Sequence, residues 1–346
     1  MNESLNSFVY NEWTQPALAS CQILKWIGGY LCFTFICGIT LNGIILSILC
    51  DSKHRRSPID VFIICLCISD LLASLLGIPL PLTSNLACRW LYGKYLCYYE
   101  GFIAYFVGMV GLYLLTALSL NRYWIIVTPN REEFVTFKTA YISVFLSIVG
   151  GLFWALPPIL GWNDYTLEGA RTSCSIRWQD RTVNVISYNI LMFVFAYIVP
   201  LSVMIYCNIC IYLKVRQVAK NKLLWNKSIT ALRSHQKRQN VEQRLAKTVF
   251  IIILTFSIAW TPYAIVAFIS SFFSPTIISP LGASIPAIFA KSSVYFNPFV
   301  YIISNSHIRS KLFHWRKTIN QTQIDPSKET FELTTPLNKC RTPLTS

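Results

Sequence analysis

Seven long apolar runs separated by polar segments organise the chain: Ile27–Cys50, Ile59–Pro79, Leu96–Ile126, Thr139–Leu160, Val185–Val215, Leu245–Phe272 and Ile278–Ser304. A helix rises about 1.5 Å per residue, so about 20 apolar residues cross the hydrocarbon layer, and each run predicts a transmembrane helix. The expected fold is an all-α membrane protein, a seven-transmembrane helix bundle over residues 27–304, with the chain ends on opposite sides. Residues 1–26 lack a basic stretch followed by an apolar one, so the first run is expected to act as the insertion signal. They form an outer tail with a glycosylation sequon at Asn2-Glu3-Ser4. In residues 305–318, Ile308, Leu312, Phe313 and Trp315 alternate with Arg309, Lys311, Arg316 and Lys317, the pattern of a short interfacial amphipathic helix. Residues 319–346 are polar and proline-bearing and predict a disordered cytoplasmic tail. Pro200, Pro262 and Pro298 lie deep in runs five, six and seven and predict kinks there.

Composition agrees: 54% hydrophobic and 13% charged residues exclude an ordinary soluble domain. The net charge of +15 would suit a nucleic-acid binder, but the basic residues fall on alternate loops. Lys53, Arg55 and Arg56 follow the first run; Lys214, Arg216, Lys220, Lys222, Lys227, Arg233, Lys237, Arg238 and Arg244 lie between the fifth and sixth. By the positive-inside rule those loops and the tail are cytoplasmic and the N-terminus extracellular, as in a multi-pass protein of the cell membrane. The bilayer, rather than nucleic acid, is the partner this charge implies. Of the 12 cysteines, most sit within runs as small packing residues. Cys21, Cys88, Cys97 and Cys174 face the oxidising side, and spacing alone leaves their connectivity open.

A charge at mid-membrane costs roughly 2.5–3.5 kcal/mol, so each one calls for a partner or a function. The chain has Asp70 in run two, Glu100 and Arg122 near the two ends of run three, and Lys291 in run seven. A primary amine buried among apolar groups loses its proton readily and can condense with an aldehyde to a Schiff base.

The motifs accompanying these charges resemble the rhodopsin family of G-protein-coupled receptors: Asn42 in Leu-Asn-Gly, Asp70 in Ile-Ser-Asp-Leu-Leu, Trp90 before Gly93 and Cys97, Asn121-Arg122-Tyr123, Pro200, Ala259-Trp260-Thr261-Pro262-Tyr263 and Asn297-Pro298-Phe299-Val300-Tyr301. Phe289-Ala290-Lys291-Ser292-Ser293 is similar to the retinal-attachment motif of opsins, and non-visual opsins of the peropsin and neuropsin side are the nearest in character. The resemblance implies retinal, 11-cis or all-trans, held covalently on Lys291, and a Cys97–Cys174 bridge, with a Cys21–Cys88 bridge left open. It offers two counterions, Glu100 on a helix and Glu168 in a loop, of which Glu100 is favoured. It further implies a pocket of Gly101, Ala104, Gly108, Ile176, Met192, Phe193, Tyr197, Trp260, Tyr263 and Ala264. Asp70, Asn42 and Asn297 would form a central polar network, and Arg122, Tyr123, Pro298 and Tyr301 the output switch, with Glu242 restraining Arg122. The implied partners are a heterotrimeric G protein, arrestin and a receptor kinase.

Three positions depart from the family pattern: Asn121 replaces the acid before the arginine, Ile148 the mid-span-four tryptophan, and Asn208 a tyrosine eight residues after Pro200. The first and third touch the output side, so two further functions stay open. One is enzymatic, a retinal photoisomerase with little G-protein signalling. The other is an ordinary ligand-activated receptor in which Lys291 is incidental.

Overall fold

The computed structural model describes residues 13, 15–51, 57–128, 135–224, 230–274, 277–304, 308–310 and 312, with side chains described outside 219–245. Asn2, most of the segment 305–318, the tail 319–346 and the side chain of Glu242 lie outside the described residues.

Six described helices are long and apolar enough to cross a membrane: Cys21–Leu49, Pro58–Leu86, Gly93–Ile126, Phe137–Leu160, Val183–Val218 and Ala246–Phe272. They are spans one to six. The seventh consists of two helices, Pro280–Lys291 and Ser293–Ser304, separated at Ser292. Phe145, Leu146, Phe153 and Ile258 are among the large apolar side chains left more than half exposed on the rim, the surface expected to face lipid. Beyond span seven, residues 308–310 and 312 are helical; Ile308 is fully buried against the bundle while Arg309 and Ser310 are exposed.

The spans accommodate their prolines by local changes of helix type and by bonds from neighbouring spans. The second span does not stop at Pro79 but runs to Leu86. A π-helical turn, Ala73–Gly77, carries the bond from Ile78 N to Ala73 O, so Pro79 enters as the first residue of a fresh helical segment, where a missing N–H costs least. Span five likewise passes through a π segment, Met192–Ile198, just before Pro200. In span seven the helix continues through Pro298, and the interruption falls six residues earlier, at Ser292. Pro298 cannot donate to the carbonyl of Val294, and Asn42 Nδ2 in span one donates to that carbonyl at 2.8 Å instead. Gly38, one turn before Asn42, makes this approach possible: a Cβ there would sit 2.3 Å from Ser74 Oγ and 3.1 Å from Val294.

The two largest apolar cores among the described residues lie at opposite ends of the bundle. One, with Leu114, Leu115, Leu118, Ile252 and Tyr301, occupies the Arg122 end. The other is aromatic, with Tyr105, Trp154, Tyr165, Trp178, Tyr188 and Phe193, and occupies the Cys97 end. Between spans four and five the chain forms a two-stranded antiparallel hairpin, β1 (Tyr165–Glu168) and β2 (Ser173–Ile176), pairing Leu167 with Cys174 and Glu168 with Ser173. The hairpin lies across the Cys97 end, where the Cys97–Cys174 disulfide pins it to span three. Cys21–Cys88 is also bonded and ties the start of span one to the end of span two, resolving the connectivity that spacing left open.

Candidate functional site

Glu100 follows Cys97 by three residues, one helical turn, so both point to the same face of span three. The disulfide brings the β2 backbone onto that face, and Cys174 N donates to Glu100 Oε2 at 2.7 Å. The other oxygen, Oε1, accepts from Lys291 Nζ at 2.8 Å. Glu100 is fully buried and the Lys291 side chain 16% exposed, so an ion pair with a charge-assisted second bond stands at the heart of the bundle.

Glu168 approaches the same cation from the hairpin. With side chains alternating along a strand, Glu168 and Ser175 share one face and Leu167 and Cys174 the other. Burial lifts the Glu168 carboxyl from its ordinary range to about 7, and Glu100 adds to the rise. The charge of Lys291 and hydrogen bonds from Tyr263 and Ser175 oppose it. Burial likewise raises the Tyr165 phenol, whose hydroxyl donates to Ala155 O at 2.9 Å.

Below the hairpin a cavity runs from Glu168 and Lys291 down to Asp70 and Asn297. Its walls include Ala104, Gly108, Met192, Phe193, Tyr197, Trp260, Tyr263 and Ala264, all expected from the sequence. Gly101 and Ile176, expected there too, are not among its lining residues. A Cβ on Gly101 would meet the Tyr165 ring at 2.4 Å, so Gly101 seats the hairpin, and Ile176 is buried in the aromatic core. Gly108 does serve the cavity: a Cβ there would lie 2.7 Å from Trp260, whose indole drops into that space and donates to Ser293 Oγ at 3.2 Å. Tyr263 hydrogen-bonds Tyr105 across the cavity at 3.0 Å. Tyr105, Ser175 and Trp178 had no sequence signal, because chain folding alone brings them to the wall.

At the opposite end the expected switch residues lie in the described part of the bundle except Glu242. Asn297 Nδ2 donates to Asp70 Oδ2 at 3.3 Å, but Asn42 goes to the Val294 carbonyl rather than joining that pair. Arg122 is fully buried and Asn121 nearly so, with the Asn121 Oδ1 accepting no hydrogen bond from the described residues. The rings of Tyr123 and Tyr206 stand 6.0 Å apart, Asn208 Nδ2 turns back to Met204 O at 2.7 Å, and Tyr301 is buried in the lower core.

Residues 41–301 match the family model of the 7 transmembrane receptor (rhodopsin family). The chain is 33% identical over 288 residues to the visual pigment-like receptor peropsin of Mus musculus, covering 83% of this chain and 82% of that one. It is 30% identical over 309 residues to a GQ-coupled rhodopsin of Mizuhopecten yessoensis, covering 88% of this chain but spanning 62% of that protein's length. The crystal structure of squid rhodopsin superposes with a TM-score of 0.80 at 27% identity, covering 94% of this chain and 99% of that one.

Proposed function

The chain belongs to the rhodopsin family of seven-transmembrane receptors, in its opsin branch, and on that premise we propose that it is a light-sensing receptor that holds retinal covalently on Lys291 and signals through a G protein. One observation carries the reading: the Lys291 amine lies 2.8 Å from the fully buried Glu100 carboxylate, at one end of a cavity walled by aromatic and small apolar side chains.

The residues fit the group. An elongated apolar ligand suits the walls, and Gly108 leaves the space that lets Trp260 close them. Retinal, when bound, supplies absorption of visible light and a light-driven change of shape. The chain supplies the rest. An unpaired buried cation sheds its proton; Glu100 keeps the proton at the Lys291 nitrogen, and the Cys174 N–H keeps Glu100 in place. Lys291 ends a helix, so a displacement there reaches the break at Ser292 and, through Ser293, the indole of Trp260 in span six. Spans six and seven can thus shift together between two packings. We assign the Cys97 end to the extracellular side of the cell membrane and the Arg122 end to the cytoplasm, where a heterotrimeric G protein and then receptor kinase and arrestin engage.

The test is to incubate the expressed chain separately with 11-cis and all-trans retinal, record spectra before and after illumination, and extract the isomers. A visible band that Lys291→Ala abolishes, with the acid-trapped adduct, supports the assignment; an adduct persisting in Lys291→Ala refutes it. Light-driven nucleotide exchange on a G protein supports the receptor. Efficient isomer conversion without such exchange identifies the photoisomerase instead.

A further inference from the structure

The break in span seven is tied to span one by a chain of hydroxyls that the site described above does not use. Ser292, the residue between the two halves, has its Oγ 2.5 Å from Tyr30 Oη and 3.5 Å from the Ile288 carbonyl. Tyr30 Oη in turn lies 3.4 Å from Tyr295 Oη. Either hydroxyl can donate in the Tyr30–Ser292 and Tyr30–Tyr295 pairs; where the Ser292 proton goes to the Ile288 carbonyl, which only accepts, Tyr30 donates to Ser292.

The backbone around Ser292 needs such a tie. Ser292 N bonds to Phe289 O at 3.0 Å and Tyr295 N to Ser292 O at 3.2 Å, both three residues back, the tighter and weaker pattern that marks a hinge. A serine bonding four residues back also bends the helix that carries it. Lys291 is the last residue before this point. The hydroxyls sit beside an apolar patch of Leu31, Ile78, Ile288 and Val294, and Phe33 meets Tyr295 edge to face, so water competes poorly for them. Span one thus grips span seven at two heights, at Ser292 through Tyr30 and at the Val294 carbonyl through Asn42.

We propose that Tyr30 is a positioning residue for Lys291: through Ser292 it latches the hinge of span seven to span one and so holds the Lys291 nitrogen against Glu100. The proposal rests on Lys291 as the attachment point for its consequence in the pigment, while the latch itself belongs to the protein without retinal. Tyr30 touches neither the cavity nor the ion pair, so its influence runs through span seven, at Ser292 and at Tyr295.

The experiment measures two things in Tyr30→Phe, Ser292→Ala, the double variant and Tyr141→Phe, the last removing an exposed hydroxyl that makes no described bond. Hydrogen–deuterium exchange on retinal-free protein follows residues 288–296, and hydroxylamine bleaching in the dark follows access to the Lys291 linkage. Tyr30→Phe and Ser292→Ala are each expected to raise local exchange and bleaching severalfold, up to about tenfold for one lost hydrogen bond. Both singles remove the Tyr30–Ser292 bond, so the double variant should fall short of the sum of the two, and Tyr141→Phe should match the unaltered chain. Unchanged exchange over 288–296 in both singles, additive effects, or exchange raised equally in all seven spans each overturns the latch. Should the unaltered chain take up no covalent retinal, the attachment reading falls, and the exchange data on retinal-free protein still decide the latch.

Discussion

Among the described residues, the two ends of the bundle differ in how their buried polar groups are held. At the Cys97 end each oxygen of Glu100 has its own donor, the hairpin above is fixed by a disulfide, and the flanking tyrosines Tyr105, Tyr165 and Tyr188 all find hydrogen-bond partners. At the Arg122 end the residue before the arginine is a neutral asparagine whose carbonyl oxygen accepts nothing from the described residues, and the Asn208 amide donates to a carbonyl of its own helix. Low-dielectric surroundings make a satisfied polar group rigid and an unsatisfied one costly. Among the described residues, satisfied polar groups are therefore concentrated around the Lys291–Glu100 pair.

The largest expected effects come from removing what fixes the hairpin. Breaking a native disulfide costs about 2–5 kcal/mol, so Cys174→Ser and Cys88→Ser should both lower thermal stability. Their consequences should then diverge. Cys174 supplies the N–H that orients Glu100, so its variant should also lose the visible band or bleach quickly in hydroxylamine, whereas Cys88→Ser should keep the spectrum of whatever fraction folds. Equal spectral loss in both would remove the special role given to the hairpin anchor.

Glu100→Gln comes next. An opposite charge at hydrogen-bond range changes proton affinity by about ten- to a thousandfold, so the pigment should move to ultraviolet absorption at neutral pH and return to the visible in acid. Glu168→Gln should keep the visible band at neutral pH. The reverse pattern in the two spectra would hand the counterion role to the hairpin.

A smaller effect is expected at the other end. A charge-assisted hydrogen bond contributes roughly 1.5–3 kcal/mol, so Asn121→Asp, restoring a carboxylate beside Arg122, should lower dark nucleotide exchange about tenfold or more. Glu242→Gln should raise it, if that acid restrains Arg122. Basal exchange indifferent to both substitutions, with no light response, would favour the photoisomerase.

Much of this was legible in the sequence because membranes impose strict rules. Apolar runs gave the seven spans, and the cost of buried charge singled out Glu100 and Lys291, which the structure joins. The features that were not legible share a cause. Span two runs past Pro79, the Val294 carbonyl left free by Pro298 is bonded from span one, and Gly101 packs against a tyrosine. Each depends on what a neighbouring segment offers: a π turn, the Asn42 amide, the Tyr165 ring. Tyr30 and Ser292 lie 262 residues apart, so no local pattern could have paired them.

The finest test of the comparison concerns Glu168, whose carboxyl faces the charge of Lys291. It lies on the wall between the cavity and an outer depression lined by Gln15, Arg171, Arg177 and Asp180, sharing that wall with Ser175, Trp178 and Ala267. Burial lifts its carboxyl from 4.5 to about 7, against the pull of Lys291 and the hydrogen bond from Tyr263. The sign follows. The folded protein binds this proton more tightly than the unfolded chain, so the group favours folding fully below its ordinary range and loses that contribution as pH rises through about 7. Above that point Glu168 adds a negative charge near the Lys291 nitrogen. A second negative charge there holds positive charge at the nitrogen, so the absorption maximum should move to shorter wavelength as pH rises through about 7, by less than Glu100→Gln moves it because Glu168 is half-buried and screened. Spectrophotometric titration of the pigment measures this directly, and Glu168→Gln should flatten it while leaving the visible band in place. A titration with the same midpoint in Glu168→Gln would assign the proton to another group and leave the Cys97 end as rigid in charge as it is in structure.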